Sequence, residues 1–340
     1  MSVSLFIKRA VDWTISAPSR LHFGLFDLNG AWGRIDGGAG VALTSPRVVV
    51  RARSGPGGLR VPQEMHPLVA GLADALAIDL ERVELELVER FPSHVGLGSH
   101  TQLALALGTA LCLAAGRDEP PRAIARAAKR GGTSGIGVNI FNRGGLVVDG
   151  GHSFGPGREK EECLPSSASR ADVPPLLARY QLPDQWRFVL VTPRTSPGAH
   201  GKQEVNLFKQ YFPLPSAETG EVCRRVLMGL MPGAAGRDLT LLGQSLSALQ
   251  QVGFKKLEVE LQPPAVVELL QVMTAAGAAG AGLTSFGPTC YGLAGDEQTA
   301  TRVVAAALEH LQRHGLAADT WVTSVDNAGV TIRHEGQEEK

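Results

Sequence analysis

Residues 91–115 read FPSHVGLGSHTQLALALGTALCLAA, in which a glycine-rich turn leads directly into an apolar helix pattern. The turn contains Gly96 and Gly98, and no charged residue separates it from the Ala- and Leu-rich stretch. The first N–H groups of a helix have no intrahelical partner and lie at the positive end of the helix dipole. The turn therefore predicts a seat for a phosphate or diphosphate. A helix N-cap with glycines for tight packing is the competing interpretation.

The segment before this turn, VELELVE at 83–89, alternates apolar and acidic residues, which is typical of a strand with one buried face. The glycine turn is thus predicted to join a strand to a helix. Because glycine has no side chain, Gly96 and Gly98 would let an oxyanion approach the backbone. The following side chains could add hydrogen-bond donors: Ser99, Thr101 and Gln102.

The composition favours a cytoplasmic protein that binds small molecules. The 340 residues are enough for two domains. Lys plus Arg and Asp plus Glu number 33 each, so no overall field attracts nucleic acid or an anionic membrane. The four cysteines lie far apart, which argues against structural zinc and disulfides. No apolar run is long enough for a signal peptide or a membrane span.

Elements of both kinds are predicted along the chain, which indicates an α+β fold in two layers. Strands are expected at 145–149, 187–191 and 320–333, and helices after Pro120 and at 218–231, 239–251, 264–276 and 297–314. Residues 153–183 are rich in Pro, Ser and Glu and predict an irregular surface connection. The domain boundary is placed at its end, giving an N-terminal domain of residues 1–184 and a C-terminal domain of residues 185–340.

Three motifs in this order resemble the GHMP superfamily of small-molecule kinases: APSRL (17–21), the Gly96 turn with its helix, and the glycine turn at 280–287. In longer segments, the sequence is similar to a non-kinase branch of this superfamily, the β-ribofuranosylaminobenzene 5′-phosphate synthases. The segments that carry this similarity are SRLHFGLFDLNG (19–30), GRIDGGAG (33–40), HVGLGSHTQ (94–102), GGTSGIGVN (131–139), VVDGGH (147–152), EVNLF (204–208) and SFGPTCY (285–291). They span almost the whole chain.

The resemblance implies a pentosyltransferase of tetrahydromethanopterin biosynthesis, and so of one-carbon metabolism. It would join 5-phosphoribosyl diphosphate to 4-aminobenzoate or another 4-substituted benzoate, with release of diphosphate and carbon dioxide. It also implies a divalent ion such as Mg²⁺, a homodimer, and a GHMP-type two-domain fold. In that fold an N-terminal domain like domain 2 of ribosomal protein S5 and a ferredoxin-like C-terminal domain flank the ligand cleft.

The chemistry assigns roles to the motif residues. The Gly96–Gln102 turn would hold the diphosphate, and Arg20 and Arg34 offer planar forks for a phosphate or carboxylate, unless they form surface ion pairs. A magnesium ion would need carboxylates, for which Asp36 is the first candidate, followed by Asp27 and Glu204. The expected catalytic residues are Asp36, Arg20 and His22. The other expected substrate contacts are Ser19, His94, Thr133, Ser134, Asn139, His152, Ser285 and Gly287. No metal site is expected among His22, His94, His100 and His152, since none of these pairs has helical ligand spacing.

Two other functions remain open at this point. An ATP-dependent kinase would use the same glycine turn for ATP phosphates. Several such kinases carry a catalytic aspartate in the segment that here contains Thr133, Ser134 and Asn139, which weighs against a kinase. A non-enzymatic anion-binding protein would keep the fold without the chemistry.

Overall fold

Two long neighbouring strands form the centre of the first of two sheets. In the computed structural model, which describes residues 12–56, 58–166, 168–195 and 201–335, β1 (Asp12–Asp27) pairs antiparallel with β2 (Arg34–Ser54). Buried apolar side chains such as Ile15 and Val50 hold the hairpin against the core. The pairing shifts register between Pro18 and Ser19 and again between His22 and Gly24, irregularities of the kind that increase local strand twist.

Shorter strands extend this sheet on the β2 side of the hairpin. They are β3 (Gly58–Arg60), β4 (Val83–Glu89), β5 (Leu146–Asp149), β6 (His152–Ser153) and β7 (Leu176–Tyr180). Strands β4 and β5 pair with opposite halves of β2, and β7 pairs with β5. Four helices accompany them: α1 (His66–Ala75), α2 (Ser99–Ala114), α3 (Pro121–Ala127) and α4 (Ile136–Arg143).

Helix α2 is buried along almost its whole length, which explains its lack of charged residues. Its side chains Leu103, Leu105 and Leu107 are all within the apolar core, and the helix packs on β1 and β2. Since a helix without a polar face cannot lie at the surface, the sequence of α2 requires this central position. The glycine turn is thereby held at the edge of the core.

The second sheet contains β8 (Arg187–Pro193), β9 (Gly280–Leu283), β10 (Cys290–Ala294) and β11 (Ala318–Thr323), antiparallel in the order β11-β8-β10-β9. The helices of this half are α5 (Lys202–Tyr211), α6 (Ser216–Arg225), α7 (Met231–Ala235), α8 (Leu239–Leu249), α9 (Gly253–Glu260), α10 (Pro264–Ala275) and α11 (Glu297–Arg313). A π-helical turn, Val226–Leu230, joins α6 to α7.

Alternate residues of β8 serve two cores, as expected for a strand covered on both faces. Val189 and Val191 pack with α10 and α11. Phe188 packs on the opposite face with Tyr291, and the Tyr291 ring lies 5.6 Å from the ring of Phe23 on β1. The two halves therefore share an apolar core, and a cavity lies at their junction.

Most of the predicted helices and strands are present. The strand prediction differs from the structure where a strand pairs with residues distant in the sequence. The expected strand at 320–333 is two strands, because β11 ends at Thr323 and β12 (Thr331–Glu335) returns to pair with β1 of the first sheet. The irregular stretch 153–183 contains β7, and the glycine-rich stretch after Gly131 contains helix α4. The boundary at 184/185 stays a prediction. Among the described residues, no helix combines the length and the apolar character needed to cross a membrane.

Candidate active site

A cavity of about 450 Å³ lies where the glycine turn before α2 meets β1 and the turn after β9. It contains many of the residues expected from sequence: Arg20, His22, His94, Gly96, Gly98, Ser99, Thr101, Thr133, Ser134, Glu204, Ser285 and Gly287. Other lining residues were not predicted, namely Leu25, His100, Arg130, Gly137, Pro165, Ser166, Gly201, Phe208, Glu258 and Phe286. The cavity is mixed in character, with cations, carboxylates and aromatic rings on its wall.

The two glycines of the turn are required by close contacts and by backbone conformation. Gly96 and Gly98 have φ angles of +88° and +80°. A Cβ on Gly96 would lie 2.3 Å from the carbonyl oxygen of Thr284, and one on Gly98 would lie 2.8 Å from Cγ of Arg20. The glycines therefore allow the turn to touch both Arg20 and the second half of the chain, at the start of α2 where an anion is favoured.

Arg20 joins the glycine turn to the cavity. Its Nη1 donates to the Gly96 carbonyl at 2.5 Å, and its backbone N–H donates to the Leu97 carbonyl at 3.1 Å. Burial lowers the pKa of its guanidinium to about 10, and the Glu258 carboxylate opposes that shift. Arg20 is consequently still a cation at neutral pH, and it is held beside the N-terminus of α2.

Thr284 links the glycine turn to His22. Its hydroxyl donates a hydrogen bond to the Gly96 carbonyl at 2.8 Å, and its Oγ1 accepts one from the backbone N–H of His22 at 2.9 Å. The His22 ring contacts Ser134 Oγ through Nε2 at 3.0 Å. Burial, together with the charges of Arg20 and Lys255, holds the pKa of His22 well below its usual range. His22 therefore presents a neutral imidazole to the cavity.

A buried ion pair on α9 fixes the turn after β9. Lys255 forms a close ion pair with Glu258, and its Nζ also donates to the carbonyls of Leu283 and Ser285 at 3.3 and 3.2 Å. Burial lowers the pKa of the Lys255 ammonium, and Glu258 opposes the shift. This pair was missed in the sequence because the spacing i, i+3 on a helix is usual for solvated ion pairs.

The cavity lining also includes a second cation and aromatic side chains. Arg130 has a buried Nε with no hydrogen-bond partner among the described residues. Burial lowers the pKa of its guanidinium, and the Glu204 carboxylate opposes this shift. Phe208 and Phe286 pack on either side of Phe254, with ring centroids 4.9 and 5.8 Å from it. The cavity lining thus offers two arginines and two phenylalanine rings.

Asp36 occupies a different place from the one expected. Its carboxylate is buried below the cavity wall, where Oδ2 contacts His152 Nδ1 at 2.7 Å and accepts from Lys160 Nζ at 2.9 Å. His152 Nε2 faces the Asp172 carbonyl at 2.8 Å, and Lys160 also donates to Thr133 Oγ1 at 3.3 Å. The expectation of an approachable carboxylate between glycines was wrong, because Lys160 and His152 fold over it.

Other expected contacts also lie outside the cavity lining. Arg34 donates through its Nε and Nη2 to the carbonyls of Gly150 and Gly151. Asp27 accepts the N–H groups of Asn29 and Gly30 in the β1–β2 turn. The remaining three are buried away from the cavity wall: Ser19, Gln102 and Asn139. Of these, Gln102 donates to the Gly137 carbonyl at 2.8 Å. Of the three carboxylates expected to bind metal, only Glu204 lines the cavity.

Comparison with known proteins identifies relatives over most of the chain. The family described as GHMP kinases C terminal matches residues 230–313. The β-ribofuranosylphenol 5′-phosphate synthase of Methanothermobacter thermautotrophicus is 39% identical over 293 residues, which cover 83% of this chain and 88% of that protein. The enzymes of the same name from Methanocaldococcus jannaschii and Archaeoglobus fulgidus are 36% and 38% identical. They cover 94% of this chain, and 99% and 98% of their own lengths.

Solved structures agree on the fold. Homoserine kinase from Cytophaga hutchinsonii superposes with a TM-score of 0.66 at 15% identity, covering 98% of this chain and all of that one. Mevalonate kinase from L. major gives a TM-score of 0.65 at 14% identity, covering 92% of this chain and 96% of its own. At such low identity the likeness shows the fold alone, so the two-domain GHMP fold is confirmed without implying a kinase. The chain belongs to the β-ribofuranosylphenol 5′-phosphate synthases, a family of enzymes built on the GHMP fold.

Proposed function

We propose that this enzyme transfers the phosphoribosyl group of 5-phosphoribosyl diphosphate to the ring of a 4-substituted benzoate, releasing diphosphate and carbon dioxide. The family membership supports the reaction class. The observation that carries the proposal at the site is the contact between Arg20 and the Gly96 carbonyl, which sets a buried cation beside the start of α2. A leaving diphosphate needs this combination of fixed charge and backbone N–H groups.

The bond changes balance without a strong protein base. The bond between the anomeric carbon and oxygen breaks, and its electron pair leaves with the diphosphate held by the Gly96 turn and Arg20. The ring carbon bearing the carboxylate forms a new bond to the anomeric carbon. The bond to the carboxylate then breaks, and its electrons restore the aromatic ring. The neutral His22 and the hydroxyls of Thr133 and Ser134 suit this requirement, since no proton has to be taken from the ring.

We assign the two ends of the substrates to different walls of the cavity. The diphosphate lies at Gly98 and Ser99, while Arg130 receives a second anionic group, either the 5′-phosphate or the benzoate carboxylate. The unpartnered Nε of Arg130 supports this role, which replaces the one expected for Arg34. The aromatic ring lies against Phe208 and Phe286, whose side chains reach the cavity.

The relatives and the sequence motifs differ in the para substituent that they indicate for the aromatic substrate. The relatives are named for a ribosyl phenol, whereas the sequence motifs led us to expect an aminobenzene product. Either substituent donates electrons to the ring carbon that attacks, so both acceptors fit the same mechanism. We therefore propose 4-hydroxybenzoate and 4-aminobenzoate as the two acceptors to compare, with the product entering tetrahydromethanopterin biosynthesis.

We propose that a magnesium ion binds in the cavity through a carboxylate and substrate oxygens. Mg²⁺ prefers one or two carboxylates together with phosphate oxygens and water. Glu204 lines the cavity and Asp36 and Asp27 do not, so we propose Glu204 as the magnesium ligand. When bound, the ion would neutralise charge on the diphosphate.

We further propose that the enzyme is a homodimer and that it is located in the cytoplasm. Light scattering tests the oligomeric state, and cell fractionation tests the location.

One assay separates the transferase from the kinase alternative. The purified enzyme is incubated with Mg²⁺, 5-phosphoribosyl diphosphate and carboxyl-labelled 4-hydroxybenzoate or 4-aminobenzoate, and in parallel with ATP and candidate alcohols. We expect labelled carbon dioxide in the first set and no ADP in the second. ADP formation with an alcohol acceptor, and no carbon dioxide, would establish the kinase instead.

A further inference from the structure

A group of potential metal ligands lies in the C-terminal half, formed by helices α10 and α11 and outside the lining of the cavity. His310 is near the end of α11, His314 follows one turn later, and Glu268 is on α10. One ligand atom from each of the three lies within 4.8 Å of the other two. The histidines are four residues apart, which places both on one face of the helix. Neither histidine belongs to the glycine-rich motifs, which contain the histidines named from sequence.

The distances within this group approach those of a bound transition metal. Oε2 of Glu268 lies 3.7 Å from Nε2 of His314 and 4.0 Å from Nε2 of His310. Ligand atoms in a tetrahedral zinc site with bonds near 2.0–2.1 Å are about 3.4 Å apart. Glu268 is 55% exposed and its side chain can adjust, so a shift of well under an ångström would bring its Oε2 to this spacing from each histidine nitrogen. The ligand atoms of the two histidines lie within 4.8 Å of each other, and the exposed His314 ring can close that gap.

Hydrogen bonding prepares His314 as a ligand. Its Nδ1 lies 3.0 Å from the carbonyl oxygen of His310, which can only accept a hydrogen bond. In the neutral ring the proton is therefore on Nδ1, and the lone pair of Nε2 faces Glu268. Metal-binding histidines commonly have this arrangement, because the bond to the carbonyl fixes both the tautomer and the ring orientation.

His310 is the buried member and has a competing partner. Its Nε2 lies 2.8 Å from the carbonyl of Ala265 at the start of α10, so this nitrogen carries a proton in the absence of metal. Metal binding would move that proton to Nδ1 and break the bond to Ala265. The loss of this hydrogen bond limits the affinity of the site for the metal. Helices α10 and α11 stay linked, because the ion replaces the hydrogen bond to the carbonyl.

We propose that Glu268, His310 and His314 form a binding site for a transition-metal ion of the zinc type, separate from the catalytic cavity. Two imidazoles and a carboxylate are a donor set that suits Zn²⁺, with water as the fourth ligand. The ion bridges α10 to the end of α11 and strengthens their packing over the second sheet. Its role is structural, so catalysis does not depend on it directly.

Calorimetric titration of Zn²⁺ into metal-stripped, tag-free, full-length protein tests the site. His314→Ala removes an exposed ligand, and Glu268→Gln removes the carboxylate while keeping its size. We expect the wild type to bind one more zinc ion than His314→Ala, and Glu268→Gln to bind that ion on the order of tenfold more weakly or worse. The matched controls are His66→Ala and Glu260→Gln, which change exposed residues on other helices and should bind zinc as the wild type does.

Two further readouts distinguish the site from nonspecific binding. Co²⁺ in a four-coordinate site should give strong visible absorption in the wild type and lose it in His314→Ala. Zn²⁺ should raise the melting temperature of the wild type more than that of His314→Ala, with enzyme activity the same in both proteins. Equal zinc stoichiometry and affinity in the wild type and His314→Ala would overturn the proposal, whatever the activity of the enzyme.

Discussion

Arg20 illustrates how one side chain can combine structural and chemical roles. Its guanidinium donates to the Gly96 carbonyl and lies against the Gly98 backbone, so it positions the glycine turn and also places a charge beside it. Lysine would keep the charge but lose the planar fork. The two roles can therefore be separated by substitution.

We predict that Arg20→Lys lowers kcat/KM for 5-phosphoribosyl diphosphate by about 10²-fold, the usual loss when a fixed donor at a developing anion is removed. The control is Arg34→Lys. This variant also loses a guanidinium, but one that binds the carbonyls of Gly150 and Gly151 outside the cavity. Steady-state kinetics should show near wild-type catalysis for Arg34→Lys. Equal losses in both variants would mean that Arg34 contacts substrate after all.

Asp36 gives a prediction about stability instead of catalysis. In Asp36→Asn the buried Lys160 and His152 lose the carboxylate that both contact, so we expect the free energy of unfolding to fall by about 3 kcal/mol or more. The magnesium concentration for half-maximal activity should not change, because Asp36 does not line the cavity. Urea unfolding and a magnesium titration measure the two effects.

The control for this experiment is Asp27→Asn. Asp27 Oδ1 accepts two backbone N–H groups in the β1–β2 turn, and an asparagine Oδ1 can accept them as well. Its stability and its magnesium dependence should both stay close to those of the wild type. A raised magnesium requirement in Asp36→Asn, without loss of stability, would restore the metal role that the sequence suggested.

At the level of elements, the turn before α2 depends on contacts that its own sequence does not contain. Residue 98 must be glycine for two reasons: its backbone is left-handed, and Arg20 occupies the space that a side chain there would need. Gly116, at the other end of the same helix, has a similar φ of +73°, and a Cβ there would meet nothing within 4 Å. The pair therefore separates backbone strain from loss of the binding geometry.

We predict that Gly98→Ala and Gly116→Ala both lose about 1–2 kcal/mol of stability, from placing a non-glycine residue in the left-handed region. Only Gly98→Ala should weaken binding of 5-phosphoribosyl diphosphate strongly, since its methyl group would displace Arg20. Calorimetric titration of both variants decides the matter. Unchanged affinity in Gly98→Ala would remove the turn from the substrate site.

For the whole molecule, the features that could be predicted from sequence are those whose residue pattern is local. Helix α2 and strand β4 follow directly from residue patterns, because burial of one face or of a whole helix leaves a periodic trace. Strand β12 gave no such indication of its partner, because its place beside β1 depends on pairing across the whole chain. The same holds for the site, where the glycine turn after β9 was recognised but its hydrogen bonds from Lys255 were not.

The cavity itself is a property of the complete molecule. One wall comes from the first half, through Arg20 and the glycine turn. Another comes from the turn after β9, whose Thr284 donates to Gly96. The aromatic wall is formed by Phe208 of α5 together with Phe286. In the proposed reaction, the ribosyl group is protected from water only if all three walls are in place.

The last prediction concerns this protection. In the wild-type enzyme, diphosphate and carbon dioxide should appear in a ratio of one, because attack by the ring is faster than attack by water. Benzoate without a para donor should bind competitively and yield neither product, since its ring carbon is too electron-poor to attack. Phe208→Leu opens the aromatic wall, and we expect it to release more diphosphate than carbon dioxide as water captures the ribosyl group. Phe212→Leu is the matched control, because Phe212 packs in the same apolar cluster but does not line the cavity. Its ratio should stay at one, and a ratio of one in Phe208→Leu as well would show that this wall does not exclude water.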